Sequence, residues 1–262
     1  MGKLKILITG GNGYIGKSIH NFFKSIYDVT SITREDFDLT NSLDTNNWFK
    51  DKNFDIVIHT AINGGSRLKM DDYNSMDNNL KMYYNLLNEK NKFKKFINLG
   101  SGAEKKLDTP YGISKHIIKK SISEKKDFFN IRIFGVFDEN ELPTRFIKGN
   151  LIRYLNGENM VIYENKKMDF FYMKDLIKLL EFYILSENPP KEIDCSYSES
   201  FSLQKILEYI NSLGTHKVNI DSGYESKDNY VGEYSELNLD LIGLYDGIRE
   251  TYKILKQNKN SQ

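Results

Sequence analysis

Apolar positions in this chain follow two rhythms that alternate. Leu4 to Thr9 is a short strand-like run, and Tyr14 to Lys24 follows with helical spacing. Val29 to Thr33 is the next strand-like run, and Thr45 to Lys50 is a short helix. Asp55 to His59 reads as a buried strand. Tyr73 to Asn88 carries Leu80, Tyr83, Tyr84 and Leu87 on one apolar stripe. Lys95 to Leu99 predicts a strand, Tyr111 to Ser123 a helix, and Phe128 to Phe134 a strand. Strands separated by crossover helices require a parallel sheet covered on both faces. Past about residue 135 the alternation loosens. Arg145 to Leu155, Lys174 to Leu185, Leu203 to Leu213 and Leu244 to Lys256 predict helices. Val161 to Tyr163 and Ile193 to Ser196 predict strands, and Gln257 to Gln262 a frayed tail. The expected architecture is a doubly wound α/β sheet over residues 1–140. A smaller C-terminal α/β region, interleaved with the sheet, is expected over 141–262.

Composition narrows the partners. The chain has 262 residues, 39% hydrophobic and 28% charged, enough for a sizeable core under a solvated surface. Lys+Arg number 37 and Asp+Glu 36, a net charge of +1, so no nucleic-acid partner is expected. Cys195 is the single cysteine, which excludes an internal disulfide and a multi-cysteine metal site; no metal is expected. No run approaches the roughly 18 apolar residues of a membrane span. The apolar run before Gly10 is too short for a signal peptide, so a cytoplasmic setting is expected.

Thr9-Gly10-Gly11-Asn12-Gly13-Tyr14-Ile15-Gly16 lies between the first strand and the first helix. Gly10 permits the tight turn, Gly13 lets a pyrophosphate approach the backbone, and Gly16 lets helix and strand pack closely. Amides at the helix start would hold the phosphates. This context marks a Rossmann-type dinucleotide site. The second strand ends Thr33-Arg34-Glu35-Asp36. Arg34 can pair with a ribose 2′-phosphate, which favours NADP(H). Glu35 and Asp36 keep NAD(H) open, since a carboxylate there would bind a 2′-hydroxyl. Asp38, Leu39 and Thr40 can edge the adenine.

Tyr111 and Lys115 stand four apart on one helical face. An ammonium beside a phenol makes it a usable acid and base near neutral pH. Ser101 sits just past a strand, where its hydroxyl can reach the same substrate oxygen. Tyr163/Lys167 and Tyr252/Lys256 share the spacing, but only Tyr111 follows a serine-ended strand.

Together these residues resemble the extended short-chain dehydrogenase/reductase family, the NAD-dependent epimerase/dehydratases. The marks are TGGNGYIG at 9–16, DIVIHTA at 55–61, Asn79, LGSGAE at 99–104, YGISK at 111–115 and RIFGVF at 132–137. Within it the chain looks most like the GDP-L-fucose synthase group of nucleotide-sugar 4-keto reductases, through SITREDFDLTN at 31–41, HTAINGG at 59–65 and LGS at 99–101. The resemblance implies Ser101, Tyr111 and Lys115 as the catalytic set. It adds Tyr14, Ile15, Thr60, Ala61 and Phe134 to the cofactor contacts, which Tyr111 and Lys115 also join. It implies substrate contacts at Asn79, Gly102, Ala103, Arg145 and Lys167.

The departures refine this. Sugar dehydratases of the family carry an Asp-Glu pair where Gly102 and Ala103 stand. The fucose synthases carry a cysteine at the Ala103 position and a later histidine, and Asp138 to Arg145 holds none. His59 and His116 read as structural. Only ten residues (111 minus 101) separate Ser101 from Tyr111, shorter than the family's usual insert. Met168 stands where the family has a phosphate-binding arginine; Lys166, Lys167 or Arg145 would have to replace it. The expected activity is NADPH-dependent reduction of the C4 ketone of a nucleotide-linked 4-keto-6-deoxy sugar, without 3,5-epimerisation. An NAD-dependent C4 epimerase is the alternative, and a non-catalytic NADP-binding protein the second. A homodimer pairing the helices around Tyr84 and Ile117 is expected, against ordinary packing of those helices on the sheet.

Overall fold

The structure is a computed structural model that describes residues 2–65 and 70–260. In chain order it runs β1 (Lys5–Thr9), α1 (Tyr14–Phe23), β2 (Asp28–Ile32), α2 (Ser42–Phe49), β3 (Phe54–His59), α3 (Tyr73–Asn88), β4 (Phe93–Ser101), α4 (Pro110–Ser123) and β5 (Phe128–Ile133). It continues with β6 (Val136–Phe137), α5 (Phe146–Asn156), β7 (Met160–Asn165), β8 (Phe171–Tyr172), α6 (Met173–Leu185), β9 (Glu192–Asp194), α7 (Leu203–Asn211), β10 (Ile220–Glu225) and α8 (Leu244–Asn260). The chain divides into two compact units, Met1–Arg132 with Glu181–Ile193, and Ile133–Leu180 with Asp194–Gln262.

The first unit is built on a sheet of order β2-β1-β3-β4-β5-β9. β1 pairs in parallel with β2 and β3, and β3 with β4. This is the Rossmann-type parallel α/β core that the alternation predicts. The order reverses direction beside β1, and ligands of such sheets bind outside the carboxyl ends of the strands at that point. One face of the sheet packs Leu7, Val57, Phe96 and Phe128 against Tyr83 and Leu86 of α3 and Ile118 and Ile122 of α4. Side chains alternate with period two, so the residues two further on share that face. They are Thr9, His59, Asn98 and Asn130, all buried and polar. The core therefore turns polar at the carboxyl end of the strands.

The glycine turn is tightly constrained. Gly10 adopts φ +74°, and a Cβ there would stand 2.7 Å from Ala61 Cα. On Gly16 a Cβ would stand 2.5 Å from the Gly10 carbonyl oxygen and 2.8 Å from Thr60 Oγ1.

The second unit buries Ile147, Leu151 and Tyr154 of α5 against Ile206, Leu207 and Ile210 of α7 and Ile248 and Tyr252 of α8. β7 and β10 form a parallel pair, as do β6 and β8. Asp175 is fully buried and accepts from the Ile242 and Gly243 amides and the Tyr197 hydroxyl. No described helix is long and apolar enough to cross a membrane.

Several expectations need correction. α2 begins at Ser42, three residues early, because Asn41 caps it by accepting from the Leu43 and Asp44 amides. β4 extends to Ser101. β6 and β8 are two residues each, too short for a periodicity to show. β10 has almost no apolar alternation because its side chains are largely exposed. Tyr84 lies off the buried stripe and is 42% exposed. α8 reaches Asn260, so Gln257 to Asn260 are helical rather than frayed; Ser261 and Gln262 lie outside the described residues.

Gly16→Ala should force α1 off β1 and Thr60. Overpacking of this kind costs about 1–3 kcal/mol, so thermal unfolding should show Tm lower by several degrees. At Gly13, where the nearest atom to a Cβ is 3.2 Å away, the same substitution should cost less.

Candidate functional site

A cleft of about 240 Å³ opens at the carboxyl end of β1 and β2. It is lined by Gly10, Asn12 and Gly13 of the glycine turn, by Thr33, Arg34, Phe37, Asp38, Leu39 and Thr40 after β2, and by Ala61, Ile62 and Met82. No side chain caps α1, and its first turn holds no acidic residue, whereas α2, α3, α4 and α7 are capped by Asn41, Asp72, Thr109 and Ser202. An uncapped helix start over a glycine turn suits phosphate.

The carboxylates near Arg34 are turned to other tasks. Asp36 accepts from the Thr33 amide (2.8 Å) and hydroxyl (3.1 Å), closing the turn after β2. Asp38 accepts from the Thr40 amide and hydroxyl, bonds that hold its carboxyl below the usual range with a smaller contribution from Arg34. Neither Glu35 nor Asp36 lines the cleft, and Arg34 does. The crowded turn, the open helix start and the cation on the wall fit a dinucleotide carrying an additional phosphate.

The β3–α3 connection joins this cleft to a second cluster. Ala61 and Ile62 line the cleft, while Gly65, at φ +70°, lies against the Tyr111 ring. A Cβ on Gly65 would stand 2.9 Å from Tyr111 Cζ. Tyr111 is in the first turn of α4, and Lys115 Nζ lies 6.0 Å from the centre of its ring. Lys115 is 4% exposed and donates to the Leu99 carbonyl at 2.7 Å. Burial pulls its ammonium down to about 8, opposed by the charge of Glu104. Ser101 ends β4 and caps the 3-10 turn Gly102–Lys105, its Oγ accepting from the Ala103 amide at 3.2 Å. Amides on the oxygen bias this hydroxyl towards donating. Ser101, Tyr111 and Lys115 are thus gathered by the end of β4 and the start of α4.

Beneath them runs a buried polar row. Thr9 Oγ1 contacts His59 Nδ1 at 2.8 Å, and Asn98 donates to Asn130 at 2.6 Å. Asn130 donates to Glu104, which also accepts from Arg132 Nε at 3.1 Å. Burial, with a smaller push from Lys115, holds His59 down to about 3, so its ring is neutral. His116 Nδ1 meets the Glu104 carbonyl.

Other expected residues fall elsewhere. Tyr14, Ile15 and Gly16 form the first turn of α1, and Thr60 donates to the Thr9 carbonyl; none of them lines the cleft. Asn79 is 2% exposed, and its amide holds the loop: it accepts from the Asn63 amide and donates to the Asn63 carbonyl and Ser114. That bonding makes it a loop anchor rather than a surface for substrate. Phe134 is buried edge-on against Tyr230 in the second unit and is not part of the cleft. Gly102 is buried and Ala103 half-buried beside Ser101. Arg145 caps α5 through its backbone and Lys167 is exposed, both in the second unit. Lys166 is paired to Glu164 at 2.5 Å.

The residues missed are Glu104, Asn130, Arg132 and Gly65. Glu104 had a signal: Ser101-Gly102-Ala103-Glu104 is a capping-box pattern, and the box forms. Gly65 stood at the end of the HTAINGG segment, but nothing local to it shows that its glycine lies against a ring 46 positions away.

The chain matches the NAD dependent epimerase/dehydratase family over residues 6–195. It shares its fold with a GDP-L-fucose synthetase from Naegleria fowleri bound to NADP, at TM-score 0.76 and 18% identity over 100% of this chain and 95% of that one. It is similar to MlghC, a GDP-mannoheptose C4 reductase from Campylobacter jejuni with NADP bound, at TM-score 0.82 and 15% identity over 98% and 99%. It is also similar to a UDP-N-acetylglucosamine 4-epimerase from Methanobrevibacter ruminantium M1, at TM-score 0.80 and 22% identity over 98% and 100%.

The buried ammonium makes a pH prediction. Lys115 releases its proton in the folded chain near 8 and in the unfolded chain near its ordinary 10.5. The penalty for the buried cation is complete below about pH 8 and fades as pH rises towards 10.5. It is of the order of 3 kcal/mol. Lys115→Met should therefore unfold at a higher temperature than wild type at pH 7, with the gap shrinking by pH 10. A gap that is flat with pH would contradict this placement of the charge.

Proposed function

The chain belongs to the NAD dependent epimerase/dehydratase family, and from that membership we propose that this NAD(P)-dependent enzyme is an NADPH-dependent reductase of the C4 ketone of a nucleotide-linked 4-keto-6-deoxy sugar. The observation that carries the reading is Lys115, buried against the Tyr111 ring and beside the serine-ended strand, next to a cleft walled by Arg34.

Amides of the glycine turn and α1 would hold the pyrophosphate, Arg34 the 2′-phosphate, and Leu39 the adenine. When bound there, the reduced nicotinamide supplies the hydride. Ser101 donates to the ketone oxygen and orients it. Tyr111 gives its phenolic proton to that oxygen, so the carbonyl becomes a secondary alcohol. Lys115 stabilises the phenolate that remains until solvent returns a proton.

Side reactions of the family lack their groups. Elimination of water needs an acid and a base where Gly102 and Ala103 stand. Glu104, the carboxylate that follows them in the chain, is engaged with the Ser101 amide, Asn130 and Arg132. Epimerisation at C3 or C5 lacks a cysteine at Ala103 and a histidine between 138 and 145.

Incubating the purified protein with NADPH and a panel of nucleotide 4-keto sugars, followed by NMR of the products, should show reduction at C4. Protein that carries tightly held NAD and interconverts C4 epimers would favour the epimerase instead. Stable NADP binding with no turnover of any panel member would favour a non-catalytic role.

Two variants divide the tasks. Tyr111→Phe should lower kcat by about 10²–10⁴-fold and leave NADPH affinity nearly unchanged; retained turnover would remove Tyr111 from the mechanism. Arg34→Ala should weaken NADPH binding by about tenfold or more, the loss of a charge-assisted pair, and leave NADH binding nearly unchanged. Equal weakening of both would argue against Arg34 as the phosphate partner.

A further inference from the structure

A carboxylate lies directly under the site although the proposed reaction uses none. Glu104 is 3% exposed. Its Oε1 accepts from the Ser101 amide at 2.9 Å, and Oε2 accepts from Asn130 Nδ2 at 3.0 Å and Arg132 Nε at 3.1 Å. The backbone is shaped around it. A Cβ on Gly100 would stand 2.1 Å from Glu104 Oε1 and 2.7 Å from Asn130 Oδ1, so a side chain before Ser101 would have to displace the carboxylate.

The charged and titratable groups around Glu104 come from four elements. Arg132 of β5 pairs with Glu104 and, through Nη2, with Glu192 of β9 at 2.9 Å. Glu192 also takes Lys119 of α4. Lys115 of α4 is bonded to the Leu99 carbonyl, two residues before Ser101, and the charge of Glu104 opposes the loss of its own. His116 of α4 meets the Glu104 backbone carbonyl, and His59 of β3 is neutral.

We propose that Glu104 is a positioning residue for the Ser101–Tyr111–Lys115 set: its carboxylate pins the Ser101 backbone from inside the fold and sets a negative charge behind the strand end whose Leu99 carbonyl holds the Lys115 ammonium. Arg132 sets how much of that negative charge Lys115 feels. The proposal rests on the reductase reading only for its kinetic consequence.

The test reads Lys115 directly, by NMR of the full-length chain with ¹³Cε-labelled lysine and no ligand, the signal being assigned with Lys115→Met. In Glu104→Gln the Lys115 titration should move down by about one pH unit, the lower end of the effect of a neighbouring opposite charge. In Arg132→Gln it should move up. Removing a negative charge lowers every nearby ionisation, so the alkaline limb of kcat should move to lower pH in Glu104→Gln. At pH 7.5 kcat should fall about tenfold, a modest share of an acid–base contribution, with KM and NADPH affinity within about twofold. Glu104→Asp keeps the charge and should restore most of kcat.

A Lys115 titration unmoved in both Glu104→Gln and Arg132→Gln would overturn the proposal, as would a lower Tm with an unshifted pH limb. If Glu104→Gln does not fold, Arg132→Gln decides: an upward shift supports the proposal and no shift overturns it. Failure of the wild type to reduce any 4-keto sugar would sink the reductase reading and leave the titration result standing.

Discussion

Lys115 holds a positive charge almost out of reach of water, under the end of β4, with its ammonium on the Leu99 carbonyl. A bare charge in that position would cost several kcal/mol, and the surrounding architecture is arranged around that cost. The Leu99 carbonyl gives the ammonium a partner. Glu104 provides opposing charge, and His59 stays neutral on the neighbouring strand. The residual penalty destabilises the fold for the sake of the site. Such a cost is the usual relation between a functional group and the structure that carries it, and it is what the proposed role of Lys115 requires.

The polar row across the sheet follows from the same constraint. Leu7, Val57, Phe96 and Phe128 fill the face under α3 and α4, and one pleat further on the same face carries Thr9, His59, Asn98 and Asn130. A buried polar row is stable only where its members pair with one another. Here they run from Thr9 to His59, and from Asn98 through Asn130 to Glu104 and Arg132. These bonds tie the end of β1 to that of β3, and the end of β4 to β5 and the Glu104 turn.

Much of this was legible along the chain, for physical reasons. Parallel strands buried on both faces leave apolar runs, and α3 was readable at its exact ends because sixteen residues keep one stripe against the core. The glycine turn announces itself because close approach tolerates no side chain. The second unit was less legible. β6 and β8 are too short to show a period, and β10 is exposed. Asn79 was read as a substrate contact by resemblance, and its buried amide instead ties down the Asn63 loop. Glu104 stood in plain view in a capping box, yet a charged residue in a turn reads by default as surface. Only the fold reveals that Gly100, Asn130 and Arg132, distributed over two strands, enclose it.

The central claim is that a phenol beside a buried ammonium delivers a proton to the carbonyl being reduced. A crystal structure of the chain with NADP and a non-reacting nucleotide sugar tests it most directly. Tyr111 Oη should lie within about 2.6–3.2 Å of the sugar O4, with Ser101 Oγ on the same oxygen and Lys115 Nζ still under the ring. A sugar bound with Tyr111 turned away from O4, or with O4 held by other groups, would contradict the account.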